Sequence, residues 1–458
     1  MYRALTPLVY GRRSTPEPMS GYTGETNADD DTSSRPNFDV QDRVMLAPRA
    51  RSDFPDLGIN MGYSLPPKFV PNPQVSGVMV QFIISQYNFA FSHPRKLHMD
   101  LVRGRFLAQI MSSKITRWSR YAGAQVLYAL RQHGEKADVA QFTPLIDQLG
   151  QLSITASNDV SLGDMTERLS AAFEISFLKH MTAGAKSGYT LMRQIAPLFM
   201  QVAYADPTLW PRDPTSNGIS LAHALTSPQT ELVRFVFADL FMSLIYGTPP
   251  LVEYDTSHSI SRVEHNHLAD WDIGCYIEIF FVIMRINQWR AENPGGYVSD
   301  EMLWKEIEKD ILAWRPCELG PDLESSRVIV RSAIQEGWRH AALIYLYMAM
   351  CGANTHDLRV QASVKQLSRL HDIIISQPAA GMPTLGSLLL AAVCARSESD
   401  RRKFRAVVSQ SNNSTWLVKC MGFAAVLDHL WSGAAANGAP VTWENYITSR
   451  KATIDLGV

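Results

Sequence analysis

His258, Glu264, His265, His267, Asp270 and Asp272 are the residues best suited by type to hold a metal ion. His265-Asn-His267 could present two imidazoles from an extended segment, and the neighbouring carboxylates could complete a shell for zinc or a similar ion. The spacing is loose, however, and Asp270 or Asp272 serves equally well to cap the apolar helix around Cys275 to Met284. The plainer expectation is a polar loop leading into that helix, with His265, His267 and Asp270 as the metal candidates. A metal-dependent enzyme would have to be built on this cluster.

A second group is basic. Arg95, Lys96, Arg103 and Arg105 precede Lys114, Arg117 and Arg120, which surround Trp118. Lys/Arg clusters with interleaved aromatics can grip phosphate, so Arg103, Arg105, Arg117 and Arg120 are the candidates for contact with DNA or a partner. The same spacing also describes the solvated face of an amphipathic helix. Gly184-Ala-Lys186-Ser187 lacks the glycine placement that a phosphate loop requires, because Ala185 stands directly before the lysine. No Gly-x-Ser-x-Gly elbow, His-Glu-x-x-His helix or dinucleotide fingerprint occurs. The expectation is a non-enzymatic protein with no catalytic residues and no cofactor.

Charge and cysteine usage agree with that expectation. The 43 basic and 44 acidic residues nearly cancel, leaving no global field to draw the chain onto nucleic acid or an anionic membrane. The five cysteines begin only at Cys275, and no two have the spacing of a structural zinc site. Widely spaced cysteines fit a reducing compartment, where they act as small buried hydrophobes. The start of the chain carries no apolar signal segment, and the strictly apolar run from Ala341 to Cys351 is too short to span a bilayer. A soluble intracellular protein is expected.

At 458 residues the chain exceeds the size at which a single core usually stops growing. Residues 1–74 are rich in Pro, Ser, Asp and Gly and are expected to be a disordered N-terminal tail. From Val75 onward the apolar spacing is helical. Leu101 to Leu127 continues a face through Leu107, Ile110, Ile115 and Tyr121. Ser227 and Pro228 open a helix with Leu232, Phe235, Val236, Leu240 and Leu244 as its buried stripe, and Gly247 and Pro249 end it. Ser299 opens another, with Asp300 and Glu301 favourable to its dipole and Pro316 beyond its end. Gly337 to Gly352 is apolar nearly all round, as a central helix must be. Arg396 to Arg405 reads as a solvated helix start with paired charges, and Trp431 and Trp443 are expected to pack the C-terminal segment onto the body. Hairpin signals are lacking, so the expected fold is all-α: an irregular array of helix pairs. Residues 75–250 form its N-terminal helical lobe and residues 251–458 its C-terminal lobe.

The ordered run Trp304-Lys-Glu-Ile-Glu308, Trp314-Arg-Pro316 and Trp338-Arg-His-Ala-Ala-Leu-Ile-Tyr-Leu-Tyr347, continuing to Trp443, resembles the regulatory region of fungal-specific transcription factors of the six-cysteine binuclear zinc cluster class. The resemblance covers roughly His265 to Arg450 best, and only the succession of helices agrees before it. It implies an all-helical regulatory domain acting in the nucleus, partnered by other transcription regulators or related family members, as a homo- or heterodimer. Zinc would belong only to relatives that retain the six-cysteine head. No cysteine precedes Cys275, so the expectation is a regulatory body without that head and without direct DNA binding. The alternative is a helical protein–protein scaffold with no promoter role, placed in the cytoplasm.

Overall fold

A computed structural model describes residues 73–91, 99–155, 161–210, 218–257, 277–315, 325–375, 381–409 and 419–458. All of them fall in one compact unit, Asn60–Val458. Fifteen α-helices occur among the described residues, and the strands there are two residue pairs, β1 (Ile219–Ser220) and β2 (Tyr254–Asp255), joined in parallel. The all-α expectation is met. The tail expected over 1–74 lies almost wholly outside the described residues.

The first helices are α1 (Pro73–Phe91), α2 (Met99–Ser112), α3 (Lys114–His133), α4 (Thr143–Ile154) and α5 (Leu162–Tyr204). The face expected to run unbroken from Leu101 to Leu127 is divided at Ser113. This residue is extended, and its hydroxyl accepts from the amide of Thr116, so it caps α3. Within α5, Gly184 takes φ +82° and ψ 178°, a conformation essentially reserved for glycine, and breaks the helix into two segments. The segment that lacked the phosphate-loop glycines therefore contains a backbone break instead. On the near side of that break His180 is fully buried, its Nδ1 paired with the carbonyl of Ser176.

After α6 (Leu221–Leu225) comes α7 (Thr230–Tyr246). Ser227 does cap this region, since its hydroxyl accepts from the Gln229 amide, but the helix proper starts two residues beyond the expected Pro228. It ends at Gly247, whose φ of +62° is the left-handed closure that a glycine allows without strain. The expected stripe of Leu232, Phe235, Val236, Leu240 and Leu244 is buried completely.

The remaining helices are α8 (Ile277–Glu292), α9 (Glu301–Ala313), α10 (Ser325–Tyr345), α11 (Leu358–Ile375), α12 (Gly381–Val393), α13 (Glu398–Ser409), α14 (Phe423–Ser432) and α15 (Trp443–Thr453). Asp300 caps α9 through the amide of Met302. The expected central helix is α10 together with one wide π turn over Leu346–Met350, and every residue from 341 to 350 is buried. Trp338 on α10 is 1% exposed and packs on Phe280 of α8 with ring centroids 5.2 Å apart. Gly386 on α12 lets the two helices close over it, because a Cβ there would stand 2.5 Å from Trp338 Cη2. Trp443 lies against Tyr345 and Tyr446 at 5.0 and 4.8 Å, which fixes α15 to the body as expected.

One core cluster runs from Met79 to Leu456. Hydrogen bonds tie its early and late parts together: Tyr446 donates to the carbonyl of Ile245, Asn287 to that of Leu240, and Cys420 to that of Met181. Lys186 pairs with Asp455.

Candidate functional site

The basic candidates separate once folded. Arg105 is exposed on α2, and Arg103 stands on the same helix. Arg117 turns back on α2: its Nε donates to the carbonyl of Ile110 at 2.6 Å and its Nη2 to that of Met111 at 2.8 Å. These are carbonyls that a helix end leaves without intrahelical donors, so Arg117 caps α2 from the following helix. Arg120 is 5% exposed and forms an ion pair with Glu174 of α5. Tyr87 of α1 donates to the other carboxylate oxygen, and the guanidinium lies over the rings of Tyr87 and Phe106 at 5.5 and 5.2 Å. Burial and the neighbouring carboxylate together hold the Tyr87 phenol far above its ordinary pKa, so it remains a donor. Trp118 is buried beside Tyr121 rather than presented to solvent. Among the described side chains, the stripe thus supplies an exposed arginine at Arg105, a helix cap at Arg117 and an internal tie among α1, α3 and α5 at Arg120.

The metal candidates His265, His267 and Asp270 lie outside the described residues. Among the described residues no group of three His, Cys, Asp or Glu side chains could hold a metal ion. The thiols there are free, and burial pushes Cys351 and Cys420 up to about 11 and Cys394 further. A thiol so shifted is neutral at physiological pH and is no nucleophile.

The mixed-charge segment forms α13, opened by Ser397, whose hydroxyl accepts from the Asp400 amide. Its charges reach further than a solvated helix start would. Arg405 grips Asp428 of α14 with two bonds of 2.7 Å, and Lys403 reaches Asp372 of α11. Arg401 is buried, donating to the carbonyls of Ala395 and Ala435 beneath the Trp431 ring.

Sequence reading missed a cavity among the described residues. A space of about 420 Å³ opens where four helix ends meet. The end of α2 contributes Gln109 and Ser112, and the start of α3 contributes Ser113 and Thr116. The first turns of α5 bring Leu162, Gly163, Thr166, Glu167 and Ser170, while Gln229 and Glu231 come from the start of α7. Gln109 Nε2 donates to Glu231 Oε1 across the space. Ser170 is 4% exposed and its hydroxyl has no hydrogen-bond partner, and the buried Oε1 of Gln229 also has none. Each of these residues looks in the sequence like an ordinary cap or polar helix position. Only the convergence of residues from 109 to 231 makes a site of them.

Among the described residues, no helix is long and apolar enough to cross a membrane. A family model described as the fungal specific transcription factor domain matches residues 228–454. No curated protein and no solved structure matches the chain.

Proposed function

Because residues 228–454 are a fungal specific transcription factor domain, we propose that this helical body is the regulatory, partner-binding part of a transcription regulator that works in the nucleus. The observation that carries the reading is the family match lying on a continuously packed body. Its helices α7 to α15 share one core with α1 to α5. Such a body offers rigid surfaces for other regulators, and it acts without catalysis and without a cofactor of its own. The basic residues support this division of labour, since Arg117 and Arg120 are engaged inside the molecule. Residues 1–274 contain no cysteine, so a six-cysteine head is not among them.

The test is a reporter assay with the complete chain fused to an unrelated DNA-binding head, alongside localisation of a fluorescent fusion. Transcription from the matching promoter should change, and the fusion should enter the nucleus. An unchanged reporter with a fusion confined to the cytoplasm would overturn the proposal in favour of a scaffold without a promoter role.

A further inference from the structure

We infer that α15 and the residues after it form a releasable strap, a C-terminal segment that lifts from the body while the rest of the fold stays closed. The inference goes beyond the transcriptional reading and does not depend on it. Its first support is Arg450. This side chain is 4% exposed, and its Nε is sealed from solvent without a hydrogen-bond partner. Among the described residues its electrostatic neighbours are the phenols of Tyr446, Tyr189 and Tyr246, and no carboxylate is one of them; burial accordingly lowers its pKa. The other buried arginines are provided for, since Arg120 pairs with Glu174 and Arg401 donates to the carbonyls of Ala395 and Ala435. A buried cation without a counter-charge opposes the docking of the helix that carries it.

The second support is the seam that α15 closes. The indole Nε1 of Trp443 and, near Arg450, the hydroxyl of Tyr246 are also sealed without a partner. Water would satisfy each of these groups, so each favours the lifted helix. Holding the strap down are the ring of Trp443 on Tyr345, Ile447 seated on Gly247 and the bond from Tyr446 to the Ile245 carbonyl. The pairs Arg290–Glu444 and Lys186–Asp455 involve exposed carboxylates and add little. A pivot is present as well. Val441 and Thr355 exchange two hydrogen bonds, which pins the chain just before α15 to the body. Beyond that pin Thr442 and Asn445 close a capping box, which keeps the first turn of α15 satisfied when the helix leaves.

The test is hydrogen–deuterium exchange on the complete chain, read by mass spectrometry for peptides from α15 and from the central helix α10. The amides of α15 should exchange at least about tenfold faster, through an opening that α10 does not share. Arg450→Met, which keeps most of the side chain's length and removes its charge, should slow exchange in α15 by about tenfold and raise the unfolding temperature. Tyr446→Phe, which keeps the ring and removes its bond to the Ile245 carbonyl, should speed that exchange by a smaller factor. Equal exchange in α15 and α10 would overturn the strap. So would faster exchange, unchanged exchange or failure to fold in Arg450→Met.

Discussion

Residues 73–204 and residues 230–453 both bury polar groups, but they do so in opposite senses. The earlier helices enclose His180 and the Arg120–Glu174 pair, and burial pushes His180 down to about 4. The later helices enclose Asp239, which burial pushes up to about 7 although it accepts from the Leu251 amide and the Tyr254 hydroxyl. In both cases burial favours the neutral form. The difference teaches where specificity is placed. In the earlier helices a charged pair ties three helices to one another. In the later ones a carboxyl ties α7 to its own following loop and buried aromatic rings join the helices, while the ion pairs of α13 with α11 and α14 lie at more exposed positions.

The strongest way to break the comparison is Trp338→Ala, which removes a fully buried indole from between α8 and α12. It should cost about 4 kcal/mol in urea unfolding, and a loss below about 1 kcal/mol would deny the later helices their aromatic basis. Next comes Arg120→Met, which strands the Glu174 carboxylate and should cost about 3 kcal/mol. Adding Glu174→Leu should return much of that loss, since an apolar pair of similar volume needs no desolvation of charge. If the double variant is no better than the single one, the pair is not what holds α3 to α5.

The subtlest test is pH. His180 has its folded pKa depressed below the unfolded 6.5, so its stabilising contribution is complete above that value and is lost as pH falls towards 4. Asp239 has its folded pKa raised, so its contribution is complete below the unfolded 3.8 and is lost as pH rises through about 7. Between pH 5 and pH 7 each effect is worth about 2 kcal/mol, with opposite sign. Relative to the parent protein, His180→Asn should lose about 2 kcal/mol less on acidification from pH 7 to pH 5, and Asp239→Asn should gain about 2 kcal/mol less. Parallel stability curves for parent and variants would show that neither group is buried in solution as described.

The later helices were the more legible part in the sequence. Their apolar stripes, the glycine at 247 and the indoles at 338 and 443 act through local spacing, burial and backbone freedom, which a sequence displays directly. The earlier helices mislead because a buried arginine and a solvated one have the same spacing. Arg120 is distinguished only by Glu174, a partner 54 residues away. The cavity was illegible for the same reason, since Gln109 and Glu231 meet across 122 residues. The Gly184 break was also hidden, because helical apolar spacing continues on both sides of it.

The tether between Lys186 and Asp455 has a consequence for the order in which the molecule can be completed. These partners are separated by 269 residues, and Leu456 beside them is 2% exposed. A ribosome adding about 5–20 residues per second needs on the order of tens of seconds to deliver that stretch. Throughout that interval Lys186 waits for its carboxylate, while Tyr189 and Phe199 of the same segment need only Tyr246 and Phe235 of α7. The ion pair is therefore a late addition to a segment whose apolar side already rests on α4 and α7.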